Sequence, residues 1–262
     1  MKITVLCENT TARDDLTGEH GLSLYVETEK HKLLFDMGQS DAFWRNAQNL
    51  GIDLTQVDVA VLSHGHYDHG GGLSYFLEHN QMAKVYVSRQ AFGAYYNADG
   101  GYIGLDGTLQ GNDRIILTDD ALKIDEELSL YSCNDRACAH EIRHYGLAVK
   151  EKDSFVPDGF CHEQYLLVND GGKKVLFSGC AHKGVLNIVK WFAPDVFVGG
   201  FHFMKLDPTR DGQLLQQAAK EMLTYPTVYY TGHCTGLAQY DSLKTFMGQQ
   251  LHSLSTGKQI HI

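Results

Sequence analysis

The segment "SHGHYDHGGGL", residues 63–73, contains four potential metal-binding side chains within six residues: His64, His66, Asp68 and His69. Imidazole nitrogens and a carboxylate form a ligand set that suits zinc, iron or manganese. A lone histidine is usually a capping or structural residue, but a cluster of this density favours metal binding. We therefore interpret the segment as a metal-binding loop whose first two histidines point to one position and whose last two donors point to a neighbouring one.

The residues before this loop determine where its donors lie. "VDVAVL", residues 57–62, is an apolar run typical of a buried strand. Glycines at 70–72 carry no side chain, so the backbone after the donors can turn sharply. The pattern therefore predicts that the donors lie on a loop at the carboxyl end of a buried strand.

Strand-like and helix-like segments alternate along the rest of the chain, which indicates an α/β protein whose sheets are covered by helices. Short apolar runs predict strands at "ITVL", "LSLYVET", "KLLFDMG", "VDVAVLSHG", "KVYVS", "RIILT", "YLLVND", "KVLFSG", "DVFVGG" and "TVYYTG". Apolar residues at helical spacing predict helices at "GVLNIVKWF", "GQLLQQAAKEMLTY" and "YDSLKTFMGQQL".

The composition narrows the classes of function. Of the 262 residues, 43% are hydrophobic and 21% charged, as is ordinary for a soluble globular protein. A net charge of −10 without a long basic run argues against nucleic acid or a membrane as partner. Six scattered cysteines and a short N-terminal apolar run predict a cytoplasmic protein with reduced thiols. The oligomeric state stays open.

The domain organisation follows from the absence of linkers. With four prolines and no low-complexity tract, residues 1–262 are predicted to form one domain. The irregular part is at about 90–160, where "AFGAYYNADGGYIGLDGTLQGND" is rich in Gly, Tyr and Asp. We interpret this part as a lid or insertion over the site, which would supply the substrate specificity.

His-x-His-x-Asp-His after a hydrophobic strand resembles the signature of the metallo-β-lactamase superfamily. "LLFDMG", residues 33–38, resembles its early strand, with Asp36 as a residue that supports the ligands. "KVLFSGCAH" (174–182) and "VYYTGHCTG" (228–236) resemble its later ligand-bearing strands. Together with "GGFH" (199–202), these segments are similar to the subgroup named for dihydropterin ribofuranosylaminobenzene-phosphate synthase. The resemblance covers about 1–88 and 160–245.

The resemblance implies a four-layer αββα sandwich, the metallo-β-lactamase fold, with two divalent metal ions at one edge of the paired sheets. Zinc is the preferred ion, with iron or manganese as alternatives. The implied ligands are His64 and His66 for the first ion, and Asp68, His69 and His233 for the second. A redox di-iron protein is disfavoured because such relatives place a Glu where this chain has Gly65.

The remaining ligands are less directly implied. Cys180 stands where most relatives carry a bridging Asp, and a thiolate is a good zinc ligand. His182 shares a strand face with Cys180 because residues i and i+2 of a strand point the same way. We expect His182 to complete the first site, with His162 as its rival.

Three further groups are candidates for other roles. His202 follows a strand at the same sheet edge, so we expect it to act on the substrate as a catalytic or binding residue, with a structural role as the alternative. Glu163 is a weaker candidate for substrate binding, and Lys183 for a site role. The segment "CNDRACAHEIRHYG" (133–146) offers a second set of thiols and imidazoles, but its spacing fits no zinc module and favours a lid segment.

Three functions are consistent with these residues. The first is a dinuclear metal-dependent hydrolase that acts on a phosphate ester or related small anionic substrate through a metal-bound water, with Asp68 and His202 as catalytic residues. The second is a synthase or transferase on a pterin-like phosphate. The third is a non-catalytic binding protein that has retained the metals.

Overall fold

The computed structural model describes residues 1–262. Its strands are β1 (Lys2–Cys7), β2 (Ser23–Glu27), β3 (Lys32–Phe35), β4 (Val59–Leu62), β5 (Lys84–Ser88), β6 (Tyr95–Tyr96), β7 (Ile115–Thr118), β8 (Ala121–Lys123), β9 (Leu128–Tyr131), β10 (Ala148–Glu151), β11 (Ser154–Pro157), β12 (Tyr165–Asp170), β13 (Lys173–Phe177), β14 (Val196–Val198), β15 (Val228–Thr231), β16 (Leu251–Ser253) and β17 (Gln259–His261). Its α-helices are α1 (Ala42–Asn49), α2 (Tyr67–Gly70), α3 (Leu73–His79), α4 (Val185–Phe192), α5 (Gly212–Met222) and α6 (Leu237–Met247). Short 3₁₀ turns occur at Leu54–Gln56, Gly107–Gly111, His233–Thr235 and Gly248–Gln250.

The strands form two large sheets and one small sheet. The first has the order β17-β1-β2-β3-β4-β5-β7, and the second has the order β16-β15-β14-β13-β12-β9-β8. Strands β3, β4, β5 and β7 run parallel to one another, as do β13 to β16. In each sheet the carboxyl ends of the parallel strands therefore meet at one edge, where loops can bring functional side chains together.

Three apolar clusters hold the layers together. Between the sheets, Phe35 on β3 and Phe177 on β13 have ring centroids 5.7 Å apart, and both are fully buried. Helices α1 and α3 pack on the outer face of the first sheet. Helices α4, α5 and α6 pack on the outer face of the second sheet. The order of layers is helix, sheet, sheet, helix, which confirms the predicted αββα sandwich.

The amphipathic pattern of α4 explains why it forms and which face it buries. Val185, Ile188 and Val189 are buried against the second sheet, while Lys190 is exposed. Burial of an aliphatic side chain contributes about 1.5–3 kcal/mol, so this stripe fixes the helix on the sheet. The helix ends at Phe192, and the next residue, Ala193, adopts a left-handed conformation with φ of 40°.

The predicted strands are all present, but helices α1 and α3 and strands β6, β8 to β11, β16 and β17 were not predicted. The interpretation of 90–160 as one lid needs a correction. Strand β7 belongs to the first sheet and β8 with β9 to the second, because these strands extend both sheet edges. Only β6, β10 and β11 form a separate sheet. None of the helices combines the length and hydropathy that a bilayer crossing demands.

Candidate metal centre

Most of the predicted donors converge at the sheet edge where the parallel strands end. The loop after β4 carries His64, His66, Asp68 and His69, the loop after β13 carries Cys180 and His182, and His233 follows β15. All seven side chains are buried. The fold therefore brings donors from both sheets together at one edge, where the sequence analysis placed the site.

The donors divide into two groups. The three-histidine group consists of His64, His66 and His182, whose ligand atoms lie within 4.8 Å of one another. The Nε2 atoms of His64 and His182 are 3.3 Å apart. Nε2 of His66 is buried and has no hydrogen-bond partner. Three imidazoles that converge on one point, one of them with an unpartnered buried nitrogen, form a set that could hold a cation.

The four-donor group consists of Asp68, His69, Cys180 and His233. Nε2 of His69 is 3.2 Å from the Cys180 Sγ and 3.2 Å from Nε2 of His233. Nε2 of His233 is also 3.2 Å from Oδ2 of Asp68. The carboxylate, imidazole and thiol atoms therefore surround a common point beside the three-histidine group.

Asp36 orients one histidine of each group. Its Oδ2 accepts a hydrogen bond from Nδ1 of His69 at 2.6 Å and one from the Ser63 hydroxyl at 2.7 Å. Because the Ser63 hydroxyl donates to Asp36, its oxygen accepts from Nδ1 of His64 at 2.8 Å. Each ring therefore carries a proton on Nδ1 and directs its Nε2 atom at the centre.

His233 is oriented by residues that the sequence analysis missed. Its Nδ1 donates to Oδ1 of Asn9 at 2.9 Å, and its backbone N–H donates to Oε1 of Glu8 at 2.6 Å. Asn9 and Glu8 directly follow β1, so the signal for them is their place at the carboxyl end of a strand in the same edge. The Nε2 lone pair of His233 is thereby also directed at the centre.

The choice between His182 and His162 depends on which nitrogens are free. The backbone N–H of Gly65 donates to Nδ1 of His162 at 2.9 Å, so this nitrogen carries no proton. Nε2 of His162 then carries the proton and donates to Asp158 at 3.0 Å. Both ring nitrogens of His162 are engaged in hydrogen bonds, so the geometry favours His182 as the third donor.

Glu163 lies close to the donors, but its carboxylate makes different contacts from those we expected. It is fully buried, and its carboxylate accepts hydrogen bonds from the backbone N–H of His182 at 2.7 Å, that of Lys183 at 3.1 Å and the Tyr165 hydroxyl at 2.6 Å. The expectation of a substrate contact is therefore corrected, because no acceptor faces the cavity. Glu163 instead positions the segment that carries His182.

Lys183 has a structural role in the same network. Its ammonium donates to the Ser132 carbonyl oxygen at 2.7 Å and to Oδ1 of Asn134 at 2.8 Å. The side chain is only 3% exposed, and burial lowers its pKa although Glu163 opposes this shift. Lys183 therefore anchors the segment after His182 and does not reach the substrate.

Gly65 leaves no room for the Glu of di-iron relatives. A Cβ atom at this position would lie 2.2 Å from the backbone oxygen of Ala91. This distance is below any real van der Waals contact and involves backbone atoms that cannot move aside easily. The close approach of the two segments therefore excludes every side chain here.

Non-glycine residues around the centre adopt left-handed backbone conformations. The φ angles are 58° at Asp36, 57° at Ala181, 55° at His202 and 49° at His233. Such conformations disfavour L-residues and persist only where the surroundings enforce them. The loops that carry the donors are therefore held in strained but defined geometries.

A cavity of about 210 Å³ opens onto both groups. His202 lines it, and its ring centroid lies 4.3 Å from that of His182. His20, which the sequence analysis missed, also lines it and approaches Oδ2 of Asp68 with its Nε2 at 3.3 Å. Lys205 is the one lysine or arginine among the lining residues. The loops next to β6 and β10 supply Asn97, Ile103 and Leu147 to the same lining.

Burial keeps most of these imidazoles neutral. It lowers the pKa of His66 to about 3 and that of His202 to about 4. For His69, burial lowers the pKa, but the carboxylates of Asp36 and Asp68 outweigh it and raise the value. Burial also raises the pKa of the Cys180 thiol, so a nearby cation is needed to make the thiolate stable.

The positions of the donor atoms fit the binding of divalent metal ions. With their Nδ1 protons directed at Asp36 and Asn9, the Nε2 lone pairs of His69 and His233 face each other across 3.2 Å. Two lone pairs at this distance repel unless a cation or a proton lies between them. Buried imidazole, carboxylate and thiol donors are the ligands that zinc prefers.

The second Cys and His cluster does not assemble. Nε2 of His140 pairs with Glu221 at 2.6 Å, and Nδ1 of His144 bonds the Asp158 carbonyl oxygen at 2.6 Å. Cys133 is buried, whereas Cys138 is exposed. These residues therefore belong to separate contacts in the region of the lid.

Comparison with known proteins agrees with this geometry. A family model described as the metallo-β-lactamase superfamily matches residues 16–136. The solved structure of Tm1679, a metal-dependent hydrolase of the β-lactamase superfamily, is 27% identical with a TM-score of 0.85, covering 100% of this chain and 99% of its own. Zn²⁺-bound PqqB from Methylobacterium extorquens shares the fold alone, with 12% identity and a TM-score of 0.62 over the whole of both chains.

These matches confirm the resemblance: the chain has the fold of the metal-dependent hydrolases of the metallo-β-lactamase superfamily and carries a candidate metal site. Two proteins of Methanocaldococcus jannaschii are also similar. The uncharacterized protein MJ0448 is 27% identical over 94% of this chain and 96% of its own length. The 7,8-dihydropterin-6-methyl-4-(β-D-ribofuranosyl)-aminobenzene-5'-phosphate synthase is 24% identical over 98% and 95%.

Proposed function

We propose that this protein is a dinuclear metal-dependent hydrolase of a phosphate ester or a related small anionic substrate. The observation that carries the proposal is the pair of adjacent donor groups, both of which open onto one cavity. Two zinc ions, when bound, would lower the pKa of a water and neutralise charge on the substrate and its leaving oxygen. His64, His66 and His182 would hold one, and the four-donor group the other.

The chain's own residues supply the positioning. Oδ2 of Asp68 faces the cavity between His20 and His233, where it can accept a hydrogen bond from the attacking water. The imidazole of His202 lines the same cavity and can donate a hydrogen bond to a substrate oxygen. Lys205 supplies a positive charge at the wall that attracts an anionic group.

The dimensions of the cavity favour a small reacting group. Its volume of about 210 Å³ lies below the range of about 300–1,000 Å³ that is typical of pockets for drug-sized ligands. Ile103 and Leu147 cover one side with apolar surface, which limits access of bulk water to the reacting group. A phosphate ester group suits both the volume and the cationic character of the loaded site.

The experiment combines metal analysis with a phosphoester screen. The purified chain is expected to hold two metal ions and to hydrolyse phosphomonoesters or phosphodiesters. His66→Ala should lose an ion and the activity while keeping its fold, because the loop lies at the sheet edge. His261→Ala, which changes an exposed histidine, is the matched control. Full metal content in His66→Ala would contradict the ligand assignment.

A synthase acting on a pterin-like phosphate is the second candidate. It is favoured by the similarity to the Methanocaldococcus jannaschii synthase along nearly the full chain. Incubation with a 7,8-dihydropterin that carries a leaving group on its 6-methyl carbon, together with a (ribofuranosyl)aminobenzene 5'-phosphate, separates the two functions. A synthase joins the methyl carbon to the amino nitrogen and releases the leaving group, whereas a hydrolase releases phosphate or an alcohol. Asp68→Asn distinguishes both from a binding protein, because turnover should fall only if the protein is an enzyme.

A further inference from the structure

A second cavity adjoins the candidate metal centre. It has a volume of about 230 Å³ and lies between the carboxyl ends of β1, β15 and β16 and the start of α6. Met204 and His233 line both this cavity and the one that opens onto the metal donors. The two cavities therefore meet at His233, and a single molecule could extend from one into the other.

The carboxylate and the threonine hydroxyls that line the second cavity are already paired within the protein. Glu8 is 2% exposed, and its Oε2 accepts hydrogen bonds from the N–H of Thr10 at 2.7 Å and from the Thr10 hydroxyl at 2.6 Å. Its Oε1 accepts from the backbone N–H of His233 at 2.6 Å. The Thr231 hydroxyl is paired with that of Thr235 at 2.5 Å. The lining offers no lysine or arginine to an anion.

The free surface of the second cavity is instead apolar. Leu237, 69% exposed, and Met204, 39% exposed, are among the large hydrophobic side chains that lie open to solvent. Tyr240 and Leu254 contribute to the same lining. A thioether beside an aromatic ring and two leucines favours an apolar, ring-bearing ligand over a charged one.

We infer that the second cavity binds an uncharged, ring-bearing portion of the substrate, while its anionic group lies at the metal donors. This inference rests on the proposed function, since it assumes that an anionic ester group reacts beside Asp68 and His233. The first cavity, which contains Lys205 and the metal donors, would bind the anionic group. The second cavity, which has no unpaired charge, would bind the ring. The substrate class is therefore an ester of an anionic acid with a ring-bearing alcohol or phenol.

The test compares two non-hydrolysable ligands on the zinc-loaded protein. Affinities for methylphosphonate and phenylphosphonate are measured by calorimetry for the wild type and for Leu237→Asp, which places a negative charge in the apolar lining. Ala238→Asp is the matched control, because Ala238 is exposed on the same helical turn and outside the cavity. Circular dichroism verifies the fold, and Leu237→Ala provides a second, uncharged variant.

Phenylphosphonate should bind the wild type at least about tenfold more tightly than methylphosphonate, because burial of its aromatic ring adds binding free energy. The ratio should fall to near one in Leu237→Asp, fall partly in Leu237→Ala, and persist in Ala238→Asp. Equal affinities in the wild type, or a ratio that Leu237→Asp leaves intact, would overturn the second cavity as a subsite while leaving the phosphoester proposal standing. Failure of both phosphonates to bind would overturn both proposals.

Discussion

The two donor groups face the same cavity but are supported differently. In the four-donor group, each histidine is fixed through Nδ1, His69 by Asp36 and His233 by Asn9. In the three-histidine group, Nδ1 of His182 is buried without a partner. His182 is instead positioned through its backbone N–H, which Glu163 holds.

Similar ligands are therefore held in place in two ways here: by a hydrogen bond to the ring, or by a hydrogen bond to the backbone of the residue. A ring held at Nδ1 keeps its orientation through a directional hydrogen bond even without a metal ion. A backbone anchor fixes only the position of the residue, and the orientation of the His182 ring then depends on packing, here its stacking on Phe160 at 4.6 Å. We therefore expect the four-donor group to hold its ion more tightly than the three-histidine group.

Asp36→Asn should have the largest effect, because Asp36 supports His69 directly and His64 through Ser63. Asparagine tolerates the left-handed backbone at this position, so the fold is retained. Zinc affinity should fall by about 10–100-fold at both groups. Equilibrium dialysis against buffered zinc measures it, with Asp58→Asn at the opposite sheet edge as the control. A loss confined to one group would show that the two groups are not linked through Asp36.

Glu163→Gln should affect the three-histidine group alone. The amide nitrogen cannot accept a hydrogen bond, so one of the backbone N–H groups of His182 and Lys183 loses its partner, at a cost of about 1–3 kcal/mol. The loss should release the ion held by His182 and leave the other ion bound. Metal content by mass spectrometry, read with the melting temperature, tests this; an equal loss of both ions would indicate general destabilisation instead.

Asn9→Leu should weaken only the four-donor group, by about tenfold, since it removes the acceptor for Nδ1 of His233. Asn9→Asp keeps an acceptor at that position and is the matched control. Competition with a zinc chelator reports the tighter of the two ions in each variant. If both variants retained wild-type affinity, ring orientation would not be what stabilises this group.

The smallest effect is expected at His31, at the sheet edge opposite both groups. Its ring nitrogens pair with Asp58 and Asp125 at 2.6 Å each. Burial lowers the pKa of His31, but these two carboxylates outweigh it and raise the value. Because the folded-state pKa exceeds the unfolded one, which is about 6.5, the stabilisation is present at pH 5.5 and is lost as the pH rises through the folded-state value.

His31→Asn should therefore lower the melting temperature by roughly 2 °C at pH 5.5 and by less at pH 8.5. Calorimetric scans at both pH values, together with metal content, provide the measurement. Metal content should be unchanged, which would show that the contacts of His31 stabilise the fold without affecting the metal donors. A larger deficit at pH 8.5 than at pH 5.5 would contradict the direction of the shift.

The predicted parts of the fold are those in which the run of apolar residues in the sequence matches the residues that are buried in the structure. Strand β4 is a run of buried apolar residues, so both its existence and the place of its loop followed from the sequence. Strands such as β8 and β10 consist of exposed and half-buried residues without a buried one, and they give no comparable signal. Helix α1 was missed because it spans only eight residues, so its apolar pattern covers little more than two turns.

The candidate metal donors could be named from the sequence because their chemistry is carried by residue type, whereas the residues around them depend on contacts between distant segments. Asn9 and His233 are separated by 224 residues, and no local pattern relates them. Glu163 shows the opposite failure. Its nearness to the site was correctly expected, but which way its carboxylate points is decided by the backbone of His182.

The left-handed residues around the centre lower the stability of the folded chain but fix the positions of the donors. Each such conformation costs about 1–2 kcal/mol for a residue other than glycine, and Ala181 holds one of them between Cys180 and His182. Replacement of Ala181 by glycine would relieve this strain and also widen the range of backbone conformations open to both donors. A chain selected only for thermal endurance would therefore drift toward glycine here and lose the fixed geometry on which its chemistry depends.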